Sequence, residues 1–154
     1  MTLIQELMNQ AAVGGLLNPS IIKRFSPAEI RETIQSLVAT EQINLANALG
    51  DAGMALYPHS EDMLAICSLL AMMNQDWPVA VELMEELVDL QGETTPPFTY
   101  VMYVRALRCN FDHAKALAVA HEGLAIHPNQ LELVAEKLAL ESMGPFAEAG
   151  TLPQ

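Results

Sequence analysis

Positive charge is what this chain has least of. Seven Lys and Arg stand against nineteen Asp and Glu, a formal net charge of −12 at pH 7. Nucleic acid and anionic membrane surfaces both demand basic patches, and so few cations cannot make one. Aromatic residues amount to 5% and Gly is scattered, which favours helices over a sheet. The two cysteines, Cys67 and Cys109, fall inside helical patterns without metal-type spacing. They read as reduced, buried thiols in a reducing compartment. One apolar stretch, residues 63–73, is broken only by Ser68. It is too short for a bilayer, which needs about 20 apolar residues. As a helix it would be apolar on every face and would need cover all round. The amino terminus carries Glu6 and has no basic residue ahead of its apolar part, unlike a secretory signal, so the cytoplasm is expected.

What is present is helical periodicity. Leu3, Ile4, Leu7, Met8 and Ala11 predict a short amphipathic helix over residues 2–12, ended by Gly14-Gly15. Ser26-Pro27-Ala28-Glu29 has the form of a capping box with proline in the first turn. Ile30, Ile34 and Leu37 continue that helix, and a second runs over about 42–57 to Pro58. Ser60 is expected to cap the helix of the apolar stretch, Asp76 its successor, and Asp112 a later one ending at His127. Between them Thr95, before two prolines, reads as the start of a helix over 97–109, and residues 131–142 make a last one. Loops of a few residues set neighbouring helices antiparallel. The expected fold is all-α, with an arm at 1–25, a helical domain at 26–142 and a frayed tail at 143–154.

The chain also repeats itself. GMALYPHSEDMLA (residues 53–65) aligns with GLAIHPNQLELVA (residues 123–135), matching Gly53 with Gly123 and Pro58 with Pro128. A third copy lies between them, with Ala46, Ala80 and Ala116 in step, as are Leu49, Leu83 and Val119. In the preceding helices Ile30, Leu64 and Tyr100 correspond. A helix–turn–helix unit of about 34 residues resembles the tetratricopeptide repeat. The resemblance covers about residues 27–128, three units, with 131–142 as a capping helix. The family's favoured Trp, Gly and Tyr of the first helix are mostly missing, and the middle unit lacks the closing Pro. The resemblance implies a right-handed superhelix whose concave face is lined by the first helix of each pair.

Carried onto this chain, the family's groove positions are Arg31 and Gln35, then Ala65, Ile66, Leu69, Met72 and Met73, then Val101, Met102, Arg105 and Arg108. A Met-rich groove of this kind suits an apolar helical or extended segment of a partner protein, because Met repacks around many shapes. Arg105 and Arg108, a turn apart, would give it a basic rim. Three alternatives stay open: these methionines are core, residues 1–17 fill the groove, or two copies bury it as a homodimer. Glu82, Glu85, Glu86 and Asp89 read as a solvated acidic face. His113, His121 and His127 are eight and six residues apart, spacings that do not put ligands on one helix face. Neither a metal site, a cofactor nor a catalytic constellation is expected, and no helix long enough for membrane insertion. Size, acidity and three units resemble the small chaperones of bacterial type III secretion, which shield export subunits; a structural adaptor is the alternative.

Overall fold

A computed structural model describes Leu3, Gln5 and residues 19–143; the rest of the expected 2–12 helix and the tail beyond residue 143 lie outside the described residues. Eight α-helices follow one another among the described residues, with no strand. They are α1 (Pro19–Ile22), α2 (Pro27–Ala39), α3 (Ile43–Leu56), α4 (Glu61–Met73), α5 (Trp77–Gln91), α6 (Pro97–Cys109), α7 (His113–Ile126) and α8 (Leu131–Met143), with a 3-10 turn at Gly92–Thr94. None is long and apolar enough to cross a membrane. The chain divides into two compact units, residues 1–70 and 71–154, with the boundary inside α4.

In the first unit α2 packs against α3. Ile30, Ile34 and Leu37 from α2 meet Ala46 and Leu49 from α3, and Met63, Ile66 and Leu70 from α4. Leu3 and Ile22 belong to the same cluster. The α2 start forms as its sequence requires: the Ser26 hydroxyl accepts from the Glu29 amide at 3.2 Å, and the Ser26 amide donates to Glu29 Oε1 at 3.0 Å. In the second unit α6 packs against α5, α7 and α8. Tyr100, Val104 and Leu107 fill its centre with Leu87, Ala116 and Leu133, all at most 1% exposed. The three small residues at matching places in the second helices, Ala46, Ala80 and Ala116, are each fully buried, so the neighbouring helix can approach closely.

Each hairpin turns by the same device. Glu41, Gln75 and Phe111 have φ of 62°, 58° and 62°, the left-handed conformation that ends many helices. The next amides, of Gln42, Asp76 and Asp112, donate to the carbonyls of Leu37, Ala71 and Leu107 at 2.8, 2.8 and 2.9 Å, a Schellman closure. This corrects the expected aspartate caps. Asp76 and Asp112 hold the N-cap positions, but their side chains make no cap hydrogen bond. The left-handed residue just before leaves them at ψ of 74° and 67°, against 160° at Ser26. Thr95 likewise closes the 3-10 turn, its hydroxyl donating to the Gly92 carbonyl at 2.6 Å, and α6 starts after Pro96.

A second device recurs once within each unit. The Tyr57 hydroxyl donates to the Phe25 carbonyl at 2.9 Å, and His127 Nε2 donates to the Thr95 carbonyl at 2.9 Å. The same shift in sequence, 70 residues, relates both partners, so two different side chains perform one job: tying the end of a second helix to the residue just ahead of its first.

Candidate functional site

On the first unit, Arg31 of α2 donates to Asp62 of α4 at 3.2 Å, with both side chains more than a third exposed. Gln35, one turn on, is exposed. Ala65 and Leu69 of α4 are half-buried, while Ile66 is buried in the cluster with Ile34 and Leu49. Its neighbour Cys67 has a thiol that donates to the Gly50 carbonyl at 3.5 Å. Burial pushes this thiol up to about 12, with Asp51 adding to the shift, so it stays neutral and is no nucleophile at neutral pH.

On the second unit, Met72 is half-buried against the cluster of Ala71, Ala80 and Ala106, and Met73 is 50% exposed. Val101 of α6 is buried and so is not a surface residue, whereas Met102 is half-buried. Arg105 and Arg108 do lie on one side of α6, but neither guanidinium is unengaged. Arg105 Nε donates to Glu136 Oε1 at 2.7 Å and Arg108 Nε to Glu136 Oε2 at 3.2 Å. A weaker contact joins Arg105 to Glu132 at 3.4 Å. The Glu136 side chain is only 10% exposed. Two guanidiniums at one carboxylate compensate that burial, and the pairing pins α8 to α6. Sequence alone did not single out Glu136. The signal was there, an acid on the inward side of the last helix between Leu133 and Leu140, both buried.

A cavity of about 290 Å³ opens on the same unit where α5, the 3-10 turn, α6 and α7 meet. Val88, Tyr100 and Ile126 give it apolar walls, and Asp89, Glu93 and Glu122 its charge. Burial raises the Tyr100 phenol above its ordinary value and the nearby Glu122 adds to the rise, opposed by a hydrogen bond with Thr95. Elsewhere on this unit, Lys115 of α7 donates to Glu85 of α5 at 3.2 Å. That bond raises the lysine above its usual range against a smaller desolvation effect. The acidic stripe of α5 is therefore divided in role: Glu85 is paired and Asp89 lines the cavity.

No family model matches the chain, and no curated protein matches its sequence. Among solved structures, the one titled "MamA MSR-1 C2" matches with a TM-score of 0.70 at 15% sequence identity, over 95% of this chain and 85% of its own. At that identity the likeness is one of fold, and the fold is all-helical and tetratricopeptide-like.

Proposed function

We propose that the protein is a binding module rather than an enzyme: a small acidic cytoplasmic chaperone, of the kind that serves bacterial type III secretion, holding an apolar helical or extended segment of a partner protein. The contact residues in this reading are Arg31, Gln35, Ala65 and Leu69 on the first unit, and Met72, Met73, Met102, Arg105 and Arg108 on the second; Ile66 and Val101, expected among them, are 4% and 1% exposed and belong to the core. What supports it is the accessibility of three methionines: Met73 is half exposed and Met72 and Met102 are partly so. Thioethers left open to water can wrap an apolar guest, and covering them contributes about 25 cal/mol per Å² removed from solvent. The surplus of acids keeps such a complex soluble.

The test uses the full chain with ¹³C-labelled methionine methyls. An amphipathic peptide with Leu at helical spacing and Glu on its flank is expected to shift Met72, Met73 and Met102 saturably, and to leave Met63 and Met84 in place. Shifts confined to other methyls, or none, would remove this reading. A second reading, a structural adaptor or homodimer whose surface is filled from within, draws on Leu3, which is 3% exposed in the first unit's core. It makes residues 1–25 an arm tied into the 26–142 body, with 143–154 as tail. Light scattering separates the two: a concentration-independent dimer without affinity for the peptide favours the adaptor.

A further inference from the structure

The outer face of α8 carries an inference that does not depend on the methionine surface. Ile34, Ser68 and Val104 hold corresponding places in α2, α4 and α6, and all are 0% exposed. Leu138 holds that place in α8, 34 residues after Val104, yet it is 61% exposed. Leu131, two turns back on the same side, is 80% exposed. The helix rests on α6 and α7, and no helix follows it among the described residues to cover its far side. Along that side run Leu131, Ala135, Leu138 and Ser142, all exposed. Their steps of four, three and four residues make a single seam, and no charged residue interrupts it.

The order of sizes along the seam says what fits it. Large Leu131 and Leu138 alternate with small Ala135 and Ser142. Two such helices laid antiparallel set Leu131 against Ser142 and Leu138 against Ala135, and two-fold symmetry makes each match twice. Ser142 can accept a leucine because its hydroxyl is already satisfied, donating to the Ala139 carbonyl at 2.8 Å. On the flanks of this register Glu132 falls beside Ala139 and Glu141 beside Val134, so no carboxylate faces another. Glu141 also has Lys137 of its own helix at 3.7 Å. For a chain of net charge −12, freedom from like-charge contacts is a condition of self-pairing. We propose that the outer face of α8 docks on the same face of a second copy, as an antiparallel two-fold pair. So short a seam falls below the about 800 Å² per partner of a stable interface, and the dimer therefore forms and dissociates with concentration.

Sedimentation velocity of the full chain is the experiment. The mass should climb from monomer toward dimer between about 10 μM and about 1 mM. It should climb further as salt goes from about 0.02 M to about 0.5 M, because screening weakens the repulsion between acidic copies. Leu138→Glu should weaken association at least about tenfold and leave Tm nearly unchanged, since the side chain it replaces is exposed. The register is tested by size. Ala135→Leu sets leucine against leucine and should weaken association although it adds apolar surface. Combining it with Leu138→Ala exchanges large for small along the seam and should restore association to near the parent's. Tighter association of Ala135→Leu, or failure of the exchange to restore it, would overturn the proposal. So would a monomer at every concentration, or a dimer that Leu138→Glu leaves intact.

Discussion

Gly123→Ala tests how closely the second helices of this fold must approach their neighbours. Gly123 is buried in α7, and a methyl added there would lie 2.7 Å from Leu133 Cδ2, 2.9 Å from Tyr100 Cγ and 3.0 Å from Tyr100 Cδ1. Alanine gains about 1 kcal/mol over glycine in a helix. Forcing an extra carbon into a packed core costs about 1–3 kcal/mol. The Leu133 end can swing aside, but the Tyr100 ring is 1% exposed and stands edge-on to the His127 ring, centroids 6.1 Å apart. It has nowhere to go, so the clash falls in the upper part of that range, about 2–3 kcal/mol, and after the helix gain a net loss of about 1–2 kcal/mol is expected. At roughly 2–4 °C per kcal/mol for a chain of this size, Tm should fall by about 2–8 °C. Urea unfolding should show the same loss as a lowered midpoint with unchanged slope. Gly50→Ala is the internal control. Its added carbon meets the flexible Leu70 Cδ1 at 2.9 Å and Cys67 Sγ at an ordinary 3.5 Å, so its stability should stay within about 0.5 kcal/mol of the parent. A Gly123→Ala protein as stable as the parent, or a Gly50→Ala protein more damaged than it, would refute the close-packing argument.

Phe111→Gly should stabilise the chain by about 0.5–1 kcal/mol in urea melts, because a bulky residue is held at φ 62° while 86% exposed and has little packing to lose. A double-mutant cycle of Arg105→Ala and Glu136→Ala should give a coupling of about 1–2 kcal/mol, between exposed and fully buried pairs. The same cycle on Arg31 and Asp62, each over a third exposed, should give less than about 0.5 kcal/mol. Replacing Arg105 and Arg108 together with Ala should lower Tm as well as any partner affinity, since Glu136 would be left buried without a cation. Native Cys67 should resist thiol reagents at pH 8 and react promptly in denaturant. Its raised pKa makes a stability contribution that is complete below the ordinary thiol value of 9.0 and fades as pH rises toward about 12. Any advantage of the parent over Cys67→Ala in urea melts should therefore shrink above pH 9.

The repeat was legible because it is written in residues that packing constrains. Gly53 and Gly123 recur 70 residues apart, and at each an added carbon would fall within 3 Å of a neighbouring side chain. The hairpin turns were not legible in the same way. A Schellman closure uses backbone groups, and Glu41, Gln75 and Phe111 are not residues that advertise a left-handed turn. The shared role of Tyr57 and His127 is hidden for the opposite reason: their positions match while their chemistry differs. The inward carboxylate of Glu136 depends on contacts about 30 residues away in sequence. Periodicity can set a residue on a face but cannot name what that face meets.

The apolar stretch over residues 63–73 shows where periodicity stops and burial must decide. Met63, Leu64, Ile66, Ser68 and Leu70 are all buried. Ser68, the lone polar residue there, is satisfied within its own helix, its hydroxyl donating to the Ala65 carbonyl at 2.8 Å. Toward the end of the helix the burial gives way, through a half-buried Met72 to a Met73 that is 50% exposed. Composition treats the methionines alike, yet Met63 and Met84 are core at 0% and 2%. A core thioether filling a gap already has its contacts, while an exposed one gains them only from a partner. In the proposed contact surface the thioether share therefore comes from Met72, Met73 and Met102. Changing Met73→Glu should weaken a guest at little cost to Tm, whereas Met63→Ala should cost about 2–5 kcal/mol with or without one.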